Sequence, residues 1–359
     1  MLRAFEAFAG YGSQSIALRN LGIEYEVVAI SEIDKYAIKA YEAIHGSVNN
    51  LGDICKIDPS DIPDHDLFTY SFPCQDLSVA GKQAGLGKGT RSGLLYECEK
   101  VIEIKKPKYL LLENVKNLVG KKFKPQFDEW LKYLEDLGYA NYWKVLNAKD
   151  YGAPQNRERV FVVSILGDHK PYKFADKIPL DKCIADILED EVDEKYYLSK
   201  EIQNRFKITN QNKNILGTTK PDFRTIGQRD LVYDKNGIMG ALVATDYKQP
   251  KQIAEINQLG MLDIKGNEQV RRVYGPNGIS PTLNTMQGGN RQPKILEGLD
   301  YRIRKLTPRE CFRLMGMRDD DIDKIQATGI SNTQQYKMAG NSIVVNVLEA
   351  IFKNLFMEG

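Results

Sequence analysis

No Cys-x-x-Cys pair occurs in this sequence, and its cysteines (Cys55, Cys74, Cys98, Cys183 and Cys311) are odd in number. The three histidines, His45, His65 and His169, lie far apart. A disulfide framework and a zinc site therefore find no support, and no metal is expected. Long apolar runs are missing too. None approaches the roughly 20 residues of a membrane helix, and Glu6 interrupts the apolar N-terminal stretch. No membrane partner and no signal peptide are expected, which places the chain in the cytoplasm. Net charge is close to nil, 50 Lys and Arg against 48 Asp and Glu giving +2, so charge over the whole chain says nothing about nucleic acid. What is present suits a globular protein: 359 residues, 42% hydrophobic and 27% charged. This excludes disorder, collagen and coiled rods, and allows one large core plus a smaller lobe.

The charge is unevenly placed. Arg205 to Lys294 holds 14 Lys and Arg against 7 Asp and Glu, whereas Asp181 to Glu201 holds 8 acidic and 3 basic residues. A basic lobe behind an acidic connector is a candidate phosphate-facing surface, although ordinary solvated faces account for these counts equally well.

Short apolar runs alternate with helical patterns in the first half. Strands are expected at Arg3 to Phe8, Glu26 to Ile30, Leu67 to Ser71, Tyr109 to Leu112 and Arg159 to Leu166, and helices at Gln14 to Asn20, Lys35 to Ile44, Leu94 to Ile104 and Phe127 to Leu137. Such alternation implies an α/β fold with a parallel sheet covered on both faces. The rhythm breaks after Gly167, and Pro171 to Asp300 reads as a loop-rich lobe of short strands. Thr307, Pro308 and Glu310 form a capping box that should start a helix. A last helix should follow Ser342, with Ile343, Val344, Val347, Leu348, Ile351, Phe352 and Leu355 on one face returning the chain to the core. The resulting division is residues 1–170, 171–300 and 301–359.

The lobe contains an echo of itself. Val232-Tyr233, Asn236-Gly237-Ile238 and Ala241-Leu242 recur 41 positions later as Val273-Tyr274, Asn277-Gly278-Ile279 and Thr282-Leu283. Each copy then reaches a Gln-Pro-Lys, at Gln249 to Lys251 and Gln292 to Lys294. Two copies indicate a duplicated unit, since solenoids need three or more.

Candidate chemistry gathers where strands end. The first strand runs into Phe8-Ala9-Gly10-Tyr11-Gly12-Ser13, a glycine turn that lets the backbone approach a ligand, and Glu32 follows Gly12 by 20 residues, placed for ribose hydroxyls. This points to a nucleoside cofactor without saying which, because the third glycine of the dinucleotide fingerprint is absent. The third strand leads into Phe72-Pro73-Cys74-Gln75 and a glycine-rich loop. Cys74 is there either as a nucleophile with a lowered pKa or as an inert buried thiol. Glu113, after an apolar run, should hold a proton near neutral pH, or else cap the next helix. Arg157 and Arg159, two apart on a strand, should share a face and grip a phosphate or carbonyl oxygen, unless they pair with Glu158 at the surface.

Taken in order, Phe8-Ala9-Gly10-x-Gly12, Pro73-Cys74-Gln75, Glu113-Asn114-Val115, Gln155-x-Arg157-x-Arg159 and Gly340-Asn341-Ser342 resemble the DNA (cytosine-5)-methyltransferase family. The resemblance spans nearly the whole chain outside the 171–300 lobe. It departs from the family at Ser13, where glycine is common, and at Ser31, where asparagine is common. It implies a Rossmann-like S-adenosylmethionine-dependent core, mostly parallel, with a loop-rich target-recognition lobe. It further implies that Cys74 attacks C6 of a flipped cytosine, Glu113 protonates or hydrogen-bonds N3, Arg159 holds O2, and Arg157 supports the site through phosphate or carboxylate contacts. Phe8, Gly10, Gly12, Glu32, Asp53, Ile54, Leu94, Asn341 and Ile343 would bind S-adenosylmethionine. Gln75, Ser78, Thr282 and Leu283 would meet double-stranded DNA, with the second copy of the duplicated unit nearer the usual position. A monomer is expected; the sequence leaves open whether a restriction endonuclease acts separately beside it or the enzyme acts alone.

A transfer-RNA cytosine-5 methyltransferase shares such a core but carries Cys-Phe-Thr, where this chain has Cys311-Phe312-Arg313. A zinc deaminase would need a cysteine where Leu77 stands. A dehydrogenase would require the Cys74 and Glu113 motifs to be coincidences, and a catalytically dead DNA-binding module would have lost one of them.

Overall fold

A computed structural model describes residues 1–72, 94–200, 207–212, 215–218, 230–234, 237–244, 246, 250–256, 273–274, 294–295 and 301–358. The chain divides into two units. The first comprises Met1–Asp190, Asn236–Pro250 and Thr307–Gly359, and the second Glu191–Lys235 and Lys251–Leu306.

The first unit is built on strands β1 (Leu2–Ala7), β2 (Tyr25–Ser31), β3 (Leu67–Tyr70), β4 (Tyr109–Val115), β5 (Tyr139–Asn147) and β7 (Glu158–Leu166), in the order β2-β1-β3-β4-β7-β5. The central strands are apolar on both faces. Phe5, Phe68, Tyr70, Leu110, Leu112, Val160 and Val162 line one face in a core with Phe127 and Trp130, and Ala4, Leu67, Leu111 and Val163 are buried on the other, as a sheet covered on both sides requires. Helices α1 (Ser13–Asn20), α2 (Lys35–His45), α3 (Leu95–Lys105) and α4 (Lys124–Asp136) supply the layers. Asp34 caps α2 by accepting from the Tyr36 amide at 2.9 Å.

The expected strands and helices are present within a few residues, with two differences. β5 was not anticipated: its aromatic residues are mixed with Asn141 and Lys144, and as the sheet's last strand it leaves Trp143 39% exposed. Its presence reorders the edge of the sheet. β7 enters between β4 and β5 and runs antiparallel to both, a reversal the alternation of strand and helix does not announce, and the sheet is mostly parallel as the resemblance implies.

At the other end of the chain come α5 (Pro308–Leu314), α6 (Asp319–Ala327), α7 (Asn332–Asn341) and α8 (Val345–Phe356). The capping box forms: Thr307 Oγ1 accepts from the Glu310 amide, while Glu310 accepts from the Thr307 amide at 2.8 Å. Val345, Leu348, Ile351, Phe352 and Leu355 are buried, and Asn20 of α1 donates to Glu349 of α8 at 2.7 Å. The chain thus returns to its first helix.

The contact division differs from the 1–170, 171–300, 301–359 boundaries. Residues 171–190 stay with the first unit because Tyr172, Ile184 and Ile187 are buried there, Tyr172 packing edge-on against Tyr142. Residues 236–250 also belong to it, joined through β11 (Met239–Gly240) paired in parallel with β6 (Gln155–Asn156). The second unit has a sheet of β8 (Lys207–Asn212), β9 (Ile215–Thr218), β10 (Leu231–Asp234), β12 (Gln252–Ile256) and β15 (Tyr301–Lys305), in the order β15-β12-β10-β9-β8, so residues 301–305 are part of this sheet.

Glu6 is the anomaly of the core. It lies fully buried on β1; one oxygen accepts from Ser15 Oγ at 2.8 Å, and Oε2 has no hydrogen-bond partner. Burial pushes its carboxyl group up to about 7 from 4.5. A folded-state pKa raised in this way stabilises the fold fully below pH 4.5 and ceases to do so as pH climbs through about 7. The shift corresponds to at most roughly 3 kcal/mol. Glu6→Gln should therefore melt higher than the parent at pH 8 and show little gain at pH 5; thermal unfolding followed at both pH values checks this.

Candidate active site

The ends of β1, β2, β3 and β4 and the start of the reversed β7 meet along one edge of the sheet. Ligands bind at this edge in open α/β sheets. A cavity of about 330 Å³ opens here. Phe8, Gly10, Glu32, Asp53, Ile54, Leu94, Asn341 and Ile343 line it, together with Glu113, Arg157 and Arg159. Residues spread over more than 300 positions of sequence thus converge on one concavity.

The β1–α1 turn shapes one end. Phe8, Gly10 and Gly12 have φ of 56°, 60° and 82°, and the Gly10 amide donates to Glu32 at 2.9 Å. Glu32 Oε1 also accepts from the amides of Ile33 and Asp34, both at 2.8 Å, which fixes its carboxylate at the cavity rim. Gly12 does not line the cavity. It backs onto α2, where an added Cβ would sit 2.5 Å from His45 Nε2 and 2.7 Å from the Tyr41 ring. Its glycine is needed for that packing and for its left-handed backbone. Asp53 caps a short turn through the Cys55 amide at 3.1 Å.

At the other end stands Glu113. In the β4–β7 register Glu113 opposes Phe161 and Val115 opposes Arg159, so Glu113 and Arg159 are diagonal neighbours on one face. Arg159 Nε lies 3.2 Å from Glu113 Oε1. Burial is the largest influence on Glu113 and raises its pKa, outweighing the lowering by Arg159 and Arg157. Next to it, Asn114 donates to the Phe72 carbonyl at 3.2 Å and accepts from the Val115 amide at 2.9 Å, tying the end of β3 to β4.

Arg157 falls between β6 and β7 rather than on one strand with Arg159 and is buried, and its guanidinium donates to main-chain carbonyl oxygens. Nη1 donates to Leu242 at 2.6 Å, and Nη2 to Gly340 at 3.1 Å and Ser342 at 2.8 Å. Glu158 pairs instead with Lys116 at 2.9 Å. Cys74, Gln75, Ser78, Thr282 and Leu283 lie outside the described residues. Among the described residues, no group of three or more His, Cys, Asp or Glu could hold a metal ion, and no helix is long and apolar enough to cross a membrane.

The family model of the C-5 cytosine-specific DNA methylases matches residues 2–357. The chain belongs to that family. Among similar proteins, the type II methyltransferase M2.ScrFI of Lactococcus lactis subsp. cremoris is 39% identical, with 99% of each chain covered. The orphan methyltransferase M.SPBetaI of Bacillus phage SPbeta is 33% identical (99% and 97% covered), and the type II methyltransferase M.HhaI of Haemophilus parahaemolyticus 32% (99% and 94%). A solved structure of the S. pombe Dnmt2 methyltransferase superposes with a TM-score of 0.66 at 21% identity, covering 100% of this chain and 99% of that one. The fold is thus the Rossmann-like methyltransferase fold.

Within this methylase, three residues matter to the site that sequence reasoning passed over. Tyr11, the unnamed position of Gly10-x-Gly12, donates to Ser342 Oγ at 2.8 Å and so joins the first turn to Gly340-Asn341-Ser342. Asn114 was seen only as part of a motif. Gln155 is fully buried and accepts from the Leu242 amide at 3.1 Å. In each case the residue was legible and its partner, 42 to 331 positions away, was not.

Proposed function

We propose that this methylase transfers a methyl group from S-adenosylmethionine to C5 of a cytosine flipped out of double-stranded DNA, and that it works as a monomer. The observation that carries the reading is the Glu113–Arg159 pair. A buried carboxyl group with a raised pKa stands beside a fixed cation on the wall of the cavity that also presents Glu32 and Asp53. The donor set suits the cofactor. Glu32 and Asp53 can accept from hydroxyl and amino groups, Phe8, Ile54, Leu94 and Ile343 offer apolar walls, and Gly10 has open space where a side chain would stand. Bound there, S-adenosylmethionine would supply an electrophilic methyl group for C5, with S-adenosylhomocysteine as the product.

The chain's own residues do the rest. C6 is inaccessible within a stacked duplex, so the base must leave the stack. The Cys74 thiolate forms a bond to C6, and the displaced electron pair makes C5 electron-rich as Glu113 gives a proton to N3. Arg159 holds O2 and keeps the ring against Glu113. After methylation the C5 proton departs, the C6–sulfur bond breaks with its pair returning to Cys74, and N3 returns its proton to Glu113. Chain connectivity supports Cys74 in this role: Phe72, two residues earlier, is anchored by Asn114 next to Glu113. Gln75 and Ser78 would close over the flipped base, and the basic lobe with Thr282 and Leu283 would face the duplex.

Bisulfite sequencing of DNA from cells expressing the protein should reveal protected cytosines in one sequence context. Fully converted DNA, alongside newly methylated transfer RNA, would assign the activity to the other substrate.

A further inference from the structure

The sequence echo has a structural counterpart. Val232 and Tyr233 pair in parallel with Gln252 and Ile253, directly after the first Gln-Pro-Lys. Val273 and Tyr274 pair in parallel with Lys294 and Ile295, at the second. Each copy therefore closes its leading Val-Tyr on the strand that its own Gln-Pro-Lys introduces, as descendants of one duplicated unit would.

The middle of the first copy is held in the catalytic unit by contacts from several segments. The Met239 amide donates to the Pro154 carbonyl at 3.0 Å, and the Gly237 carbonyl accepts from the Ile184 amide at 3.1 Å. Leu242 is gripped at both ends of its peptide unit, its amide by Gln155 and its carbonyl by Arg157. Gln155 is itself fixed by donating to the Leu314 carbonyl at 3.2 Å. Beyond Leu242 the backbone lies flat on α7 at Gly340, where a Cβ would sit 2.4 to 2.5 Å from Val243 C, Val243 O and Ala244 N. Nothing larger than hydrogen fits there without displacing main chain. The other arm of Arg157 holds the Gly340 and Ser342 carbonyls, in the turn that lines the cofactor cavity.

We infer that residues 241–244 are a strap of the active site, and that Arg157 is a positioning residue whose fork fixes this strap and the Gly340–Ser342 turn relative to Glu113 and Arg159. The inference rests on the proposed methyl transfer. It assigns the middle of the first copy, residues 237–244, to building the site and not to reading the sequence. A planar fork with two arms is required, because the strap and the turn must be bonded at once, which the single ammonium of lysine cannot reproduce. Arg157 also contributes charge: it lowers the pKa of Glu113 against the effect of burial. Geometry and charge are therefore separable by substitution.

Steady-state kinetics of Arg157→Lys, Arg157→Gln and Gly340→Ala, each first confirmed to melt cooperatively, test this. Arg157→Lys keeps the charge and loses the fork. Its kcat/KM should fall about 10- to 100-fold, as for displaced catalytic groups, with KM raised for both S-adenosylmethionine and DNA, and the alkaline limb of the pH profile should stay put. Arg157→Gln should move that limb to higher pH. Gly340→Ala should lose rate by lifting the strap, and combining it with Arg157→Lys should cost less than the product of the two effects, since both act through the strap. The methylated sequence should be the same in every variant. A folded Arg157→Lys with parental kinetics, purely multiplicative effects, or an altered methylation context would overturn the inference. Should Arg157→Lys not fold, a folded Gly340→Ala with parental kinetics overturns it alone. Parental enzyme assayed in parallel separates the two readings, because its failure to methylate DNA would count against the proposed function itself.

Discussion

Cys74→Ala should abolish methyl transfer, by on the order of 10⁴-fold or more, the scale seen when an enzyme's nucleophile is removed. C5 of cytosine is too electron-poor to take a methyl group unless a nucleophile has first added to C6, and no other group on this chain is assigned that task. Cofactor and DNA binding should survive, because the substitution leaves Phe8, Glu32, Asp53 and Ile343 of the cavity unchanged. The decisive measurement is trapping on an oligonucleotide with 5-fluorocytosine at the target. Fluorine cannot leave C5 as a proton does, so the C6–sulfur bond persists through denaturing electrophoresis. The parent should give a shifted protein–DNA band and Cys74→Ala none; a band of equal intensity in both would remove Cys74 from its role.

The second large effect is expected at Glu113. Glu113→Gln keeps the shape and can still donate a hydrogen bond, but it cannot deliver a proton to N3, and kcat should drop about 10²- to 10⁴-fold, the usual range for losing general-acid assistance. The sign of the pH dependence follows from the raised pKa. Burial keeps the acid form of Glu113 populated to higher pH than an ordinary glutamate, and activity should fall as pH rises through that value. The residual activity of Glu113→Gln should lack this alkaline decline. A profile with the same alkaline limb in parent and variant would show that another group imposes it.

Much of the first unit was legible because its strands and helices carry their own period. Leu67–Tyr70 and Leu110–Leu112 are apolar on both faces, and Thr307 and Glu310 announce a helix by the chemistry of its first turn. Strand β5 was not legible, since an edge strand is covered on one side only and Trp143 and Lys144 blur its alternation. Its omission hid the reversal of β7, which depends on pairing and not on local pattern. The cavity's membership followed from motif residues, with Gly12 the exception: a glycine can be required for packing behind a site as readily as for space within it. Arg157 was recognised as important, with carbonyl oxygens among the partners it could grip, but which carbonyls these are was not legible. Its acceptors belong to Leu242, Gly340 and Ser342, and main-chain oxygens leave no mark in the identity of a residue.

The way the chain passes between its two units sets rules for grafting. It crosses after Asp190, Lys235, Pro250 and Leu306, so a transplant cut only at the outer two junctions would carry residues 236–250 away and leave the host's Gln155 and Arg157 facing a stranger's backbone. A chimaera that retains the host's own 236–250 while importing the flanking stretches keeps those bonds intact. The second unit is thus two inserts rather than one cassette, and the short piece between them is the host's to keep.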